Sequence, residues 1–269
     1  MFVGKIIAIA NQKGGVGKTT TCVNLAASMA ATRRKVLVID LDPQGNATMA
    51  SGIDKYDVER TAYELLVDEI PAKDVIITET AGGYHLVAAN QDVTAAEIRL
   101  LEFFAREIRL RNALAAIRDQ YDYIFIDCPP SLNLLTVNAM SAADSVIVPM
   151  QCEYFALEGL TALVDTISKL VAVVNPDLKI EGILRTMFDH RNRLSNDVSD
   201  QLKQHFGDKV YRTIIPRNVR LAEAPSFGAP AMHYDKSSVG AKAYLALAGE
   251  ILRRQEQESQ PLTADRESI

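Results

Sequence analysis

The residues best placed to do chemistry lie in "NQKGGVGKTT", residues 11–20. Gly14, Gly15 and Gly17 let the backbone turn so that successive N–H groups converge on an anion. Lys18 is placed to contact the β- and γ-phosphates of a nucleoside triphosphate, and the Thr19 hydroxyl to ligate Mg²⁺. Val16 and Thr20 belong to the same cradle, and the helix that begins here adds its positive end. The strict pattern, G-x-x-x-x-G-K-S/T, puts a glycine five residues before Gly17, where this chain has Gln12. The next position, Lys13, adds a second lysine to a loop already supplied with Lys18. G-x-G-x-x-G is absent, which disfavours a dinucleotide-binding turn.

Carboxylates at strand ends complete such a site. In "YDYIFIDCPP", residues 121–130, Asp127 closes an apolar run that two prolines then stop. That is a Walker-B arrangement, with Asp127 holding Mg²⁺ directly or through its water. In "VIDLDPQGNAT", residues 38–48, Asp40 and Asp42 stand two apart, so an extended backbone points both to one side. One can orient or activate the attacking water while the other supports the metal shell. Taken alone, Asp42-Pro43-Gln44-Gly45 reads equally well as a turn.

The elements that must position these groups follow from periodicity. Apolar runs at 5–10, 35–40, 123–127, 145–150, 180–187 and 210–216 are near-continuous in Val and Ile, with a weaker seventh at 83–89. Strands buried on both faces read this way. Helical patterns cover 18–32, 94–119, 132–142, 157–174, 195–206 and 238–254. The alternation predicts an α/β fold: a single P-loop NTPase domain over residues 1–254 with a mostly parallel, twisted sheet of about seven or eight strands and helices on both faces. Residues 255–269 read as a polar, disordered tail.

Composition sets the boundaries. With 269 residues, 48% apolar and 23% charged, the chain suits an ordinary soluble domain. Cys22, Cys128 and Cys152 are scattered, which argues against a disulfide framework or zinc site and suits a reducing cytoplasm. No run approaches the roughly 18 apolar residues of a membrane span. The net charge of −5 excludes a wholly basic nucleic-acid binder, so any anion-binding surface is local. Residues 185–220 supply one. They hold eight Lys or Arg, among them Arg185, Arg191, Arg193, Arg217 and Arg220, against four Asp, a local charge of +4. Lacking a recognition helix or interleaved aromatics, the segment suits sequence-nonspecific contact with the phosphate backbone of duplex DNA.

"KGGVGKTTT", "VIDLDPQGNAT", "YIFIDCPPS", "PMQCEYFALEGL" and "IIPRNVRLAEAPSFG", in this order, resemble the ParA/Soj family of chromosome-partitioning ATPases within the ParA/MinD deviant-Walker superfamily. The similarity runs from about residue 3 to 253. It implies that Lys13 is the signature lysine, reaching the phosphates of the opposite subunit in an ATP-bound sandwich homodimer. It implies further that Asp42 is the residue needed for hydrolysis, that Pro216 and Asn218 lie near adenine, and that Arg191 and Arg220 bind DNA. ATP or ADP and Mg²⁺ are the implied ligands, a ParB-like centromere-binding protein the implied partner, and the nucleoid within the cytoplasm the implied location.

Two other readings compete. A MinD-like membrane-associated ATPase needs an amphipathic basic C-terminal helix with bulky apolar residues. From Glu250 onward there are three arginines against five acids, and beyond Leu252 only Leu262 and Ile269 are bulky and apolar. An electron-transfer ATPase resembling nitrogenase iron protein needs two cluster-ligating cysteines per subunit. The neighbours of Cys128 and Cys152 match the partitioning family instead, and buried structural thiols are expected.

Overall fold

The computed structural model describes residues 4–259. Seven strands, β1 (Lys5–Ile9), β2 (Val36–Asp40), β3 (His85–Val87), β4 (Tyr123–Asp127), β5 (Ser145–Gln151), β6 (Lys179–Phe188) and β7 (Val210–Pro216), form one sheet. Their order is β3-β2-β4-β1-β5-β6-β7, and every neighbouring pair is parallel. All seven carboxyl ends therefore meet one edge, where ligands of open α/β sheets bind.

Successive side chains of β1 divide between two cores. Ile6 and Ala8 join Leu37, Ile39 and Ile124 on one face. Helices α3 (Ala62–Leu66), α5 (Asp92–Leu100), α6 (Arg109–Ala115), α7 (Leu134–Ala142), α8 (Ala156–Val173) and α9 (Arg193–Phe206) cover that face. Ile7 and Ile9 join Val36, Val38 and Phe125 on the other. It is covered by α1 (Lys18–Ala31), α2 (Asn46–Ala50), α10 (Val219–Glu223), α11 (Ala231–Tyr234) and α12 (Val239–Ser259). A short α4 (Ala72–Val75) precedes β3. α1 is buried along Thr21–Met29, as a helix apolar on most sides must be.

Two expectations are corrected. The helix expected over 94–119 is broken into α5, a turn of 3₁₀ helix at Arg106–Ile108, and α6. Ala105 takes a left-handed φ of 52° at the break. The buried Asn138 of α7 stabilises it, donating from Nδ2 to the Arg106 carbonyl at 2.7 Å and accepting from the Leu110 N–H at 3.1 Å. At the other end, α12 continues past 254 to Ser259, so the first part of the segment expected as tail is helical. The remainder of that segment, 260–269, lies outside the described residues.

Candidate functional site

The register of three central strands assembles the site. Ile9 of β1 pairs with Asp127 of β4, which pairs in turn with Asp40 of β2. The loop after β1 and the carboxylates of β4 and β2 thus share one row at the sheet edge. The loop turns through left-handed Gly15 (φ 70°) and Gly17 (φ 88°), and Gly17 caps α1 with no side chain bonded to the first-turn N–H groups. A Cβ on Gly14 or Gly15 would meet nothing within 4 Å, so space for an anion lies over the loop.

Within this frame Lys18 is 7% exposed, and its Nζ donates to the Lys13 carbonyl at 3.3 Å. Burial lowers its pKa, with Asp127 opposing, so a phosphate would restore a charge partner. The Thr19 hydroxyl donates to Asp127 Oδ2 at 2.7 Å. Asp127 Oδ1 is buried without a hydrogen-bond partner among the described residues. Burial first, then the charge of Asp40, push the Asp127 carboxyl well above the usual carboxylate range. A buried oxygen without a partner is costly. Together with the Thr19 hydroxyl it forms a hard-oxygen pair that fits Mg²⁺.

Asp40 and Asp42 separate in role. Asp40 is fully buried, and burial pushes its pKa up to about 6. Its Oδ1 accepts from the Asp42 N–H at 3.1 Å. Its Oδ2 accepts from the Thr48 N–H at 2.9 Å and the Thr48 hydroxyl at 2.8 Å. Both oxygens thus help fold the segment from β2 into α2. Asp42 ends in a turn, closed by Gly45 N–H to the Asp42 carbonyl at 2.8 Å. Its Oδ1 accepts from the Gln44 N–H at 3.0 Å, and its Oδ2 makes no hydrogen bond among the described residues. The turn and an available carboxylate oxygen coexist.

Sequence reasoning missed several residues that hold the loop. The Thr186 hydroxyl of β6 donates to the Val16 carbonyl at 2.7 Å. Asn11 donates from Nδ2 to the Pro149 carbonyl of β5 at 2.8 Å and accepts the Lys13 N–H at 2.9 Å. The Lys13 ammonium pairs with Glu153, beyond β5. The run "IEGILRTM" contained Thr186, and "PMQCEYFALEGL" contained Glu153, without singling either out.

Toward the outer edge, the ends of β6 and β7 lie side by side, with Phe188 paired to Pro216. Asn218 caps α10, accepting the Leu221 N–H on Oδ1 at 3.3 Å. Arg191, Arg193, Arg217 and Arg220 are all exposed. Each of three has its own acid: Arg191 with Asp189 at 2.9 Å, Arg193 with Asp197 at 3.9 Å, and Arg220 with Glu223 at 2.7 Å and Asp235 at 3.4 Å. Arg191 holds the Asp189 carboxyl down at about 2. Arg185, counted with this patch by sequence, does not belong to it. It is 2% exposed and donates to the Ser199 hydroxyl at 2.9 Å and the Tyr211 carbonyl at 2.6 Å.

All three cysteines are free and buried, as expected of structural thiols, and burial pushes the Cys152 thiol up to about 11. Among the described residues, no helix is long and apolar enough to cross a membrane.

Sheet order, glycine loop and strand-end carboxylates define the class of P-loop nucleotide-binding proteins. Residues 4–180 match a family model described as an AAA domain. The chain is 53% identical over 249 residues to the sporulation initiation inhibitor protein Soj of Bacillus subtilis, covering 93% of this chain and 98% of that protein. It is 51% identical over 253 residues to the chromosome partitioning protein ParA of Caulobacter vibrioides, covering 93% and 95%. A crystal structure of cobyrinic acid a,c-diamide synthase from Mycobacterium smegmatis, with bound ATP analog and magnesium, superposes with a TM-score of 0.83 at 36% identity, covering 95% of this chain and 97% of that one. The chain belongs to the ParA/Soj family of chromosome-partitioning proteins.

Proposed function

We propose that the protein is a slow, Mg²⁺-dependent ATPase of DNA partitioning, whose ATP-bound homodimer grips DNA without sequence preference. The observation that carries this reading is the joined set of a glycine loop, an α1 N-terminus that no side chain caps, and Thr19 bonded to an Asp127 whose second oxygen lacks a partner among the described residues. Backbone N–H groups of Gly14–Thr20 and the ammonium of Lys18 would hold the triphosphate, with Pro216 and Asn218 near the base. Thr19 and Asp127 would hold Mg²⁺, which when bound would neutralise phosphate charge.

Asp42 would orient the attacking water through its Oδ2, since its Oδ1 is tied to the turn. A carboxylate half-committed to its own backbone suits slow turnover that a ParB-like centromere-binding protein accelerates. Lys13 lies exposed at the loop, where a second subunit's phosphates give a use for another cation. Two copies double the number of arginines offered by Arg191, Arg193, Arg217 and Arg220. DNA affinity rises steeply with the number of phosphate contacts, so dimerisation would switch binding on.

Replacement Asp42→Ala tests the chemistry. Hydrolysis is expected to fall by about 10²–10⁴-fold, while binding of a fluorescent ATP analogue with magnesium stays within about threefold. Hydrolysis at the wild-type rate would remove Asp42 from the mechanism.

A further inference from the structure

Lys13 is fixed at three points in the single subunit. Its N–H donates to Asn11 Oδ1 at 2.9 Å, its carbonyl accepts Lys18 Nζ at 3.3 Å, and its ammonium pairs with Glu153 Oε2 at 2.5 Å. Glu153 lies 140 residues away in sequence, on the loop that follows β5. That loop is itself anchored. The Cys152 carbonyl accepts the Ser195 hydroxyl of α9 at 3.2 Å, and the Glu153 carbonyl accepts the Ala156 N–H at 3.0 Å. The carboxylate therefore stands on a fixed base, whichever way Lys13 turns.

An acid beside a phosphate-binding loop opposes anion binding by like-charge repulsion. Paired with Lys13, it is neutralised, and so is the lysine. Both Lys13 and Glu153 side chains are about half exposed, at 50% and 48%, so the pair opens to solvent at small cost.

We propose that Glu153 is a positioning residue that holds Lys13 in reserve within its own subunit, so that Lys13 reaches a second copy's nucleotide only by leaving this pair. The proposal rests on the reading that Lys13 acts across a dimer. Two features make the exchange responsive to nucleotide. A phosphate that draws Lys18 away from the Lys13 carbonyl removes one of the three restraints on Lys13. Once Lys13 has crossed, Glu153 is left as an uncompensated acid at the mouth of the site, which favours its return after hydrolysis. Glu153 thereby sets the threshold of ATP-dependent dimerisation without touching the reacting atoms.

The test is Glu153→Gln in the full chain, made in the Asp42→Ala background so that hydrolysis does not deplete ATP. Dimer fraction is followed by sedimentation against ATP concentration. A dimer releases two exposed ion pairs, so the dimerisation constant is expected to tighten about three- to tenfold. The gain is expected to shrink as salt rises from about 0.05 M to about 1 M, because an exposed pair is screened, an effect a merely structural change would not give. Adding Lys13→Ala is expected to abolish the gain, since the two residues act as one pair. Dimerisation unchanged or weakened by Glu153→Gln, or a gain that persists in Lys13→Ala, would overturn the proposal while leaving the site's reading intact. Failure of the Asp42→Ala parent to dimerise with ATP would instead overturn the reading of Lys13, and this proposal with it.

Discussion

At the carboxyl ends of β1, β2 and β4, Lys18, Asp40, Asp42 and Asp127 are buried and hydrogen-bonded within the fold. At the ends of β6 and β7, the arginines are exposed, and Arg191, Arg193 and Arg220 pair with acids at the surface. Asp40 alone organises bonds to Asp42 and Thr48 inside the fold. The first region is built before any ligand arrives, because burying charge without partners is costly. The second is a set of weak, solvent-screened pairs that a polyanion can exchange for its own phosphates. The contrast is what the proposed function requires of a nucleotide site built within the subunit and a DNA surface that gains strength by pairing.

The largest expected effect comes from disturbing the buried region. Thr48→Val leaves Asp40 Oδ2 and the Ala89 N–H, which bonds the Thr48 hydroxyl at 2.9 Å, each short of a partner. Unfolding in denaturant should show a loss of about 2–4 kcal/mol. A loss under about 0.5 kcal/mol would mean that this network relaxes freely, and the comparison would fail on its rigid side.

A smaller change in stability, within about 0.5 kcal/mol, is expected for Arg191→Ala combined with Arg220→Ala at the exposed edge. Its effect falls on DNA. Four arginines removed from a dimer should lower the slope of log affinity against log salt by about three to four, with ATP binding unchanged. Unaltered DNA retention at physiological salt would separate this edge from DNA altogether.

Much of this was legible in the sequence where local pattern decides the outcome. The Val- and Ile-rich runs gave strands β1, β2 and β4 nearly to the residue, because strands buried on both faces tolerate little else. Gly14–Thr19 and Asp127 came together as their spacing required. What remained hidden depends on partners far along the chain. Nothing local marks Asn138 as the residue that bonds the break in the 94–119 helix. The spacing of Asp40 and Asp42 was plain, yet only the fold shows that Thr48 claims Asp40. Counting charge placed Arg185 on the surface, whereas Ser199 and Tyr211 hold it inside. Glu153 was invisible for the same reason, since its meaning lies in the lysine it meets.

The most direct measurement is binding of nonspecific duplex DNA with ATP, with ADP and without nucleotide, for wild type and Asp42→Ala at one fixed salt concentration. Binding is expected with ATP alone, and to be stronger or longer-lived in Asp42→Ala, where hydrolysis no longer dissolves the dimer. Equal binding in all three states would contradict the account, because the exposed arginines would then act without the nucleotide site that is proposed to pair them.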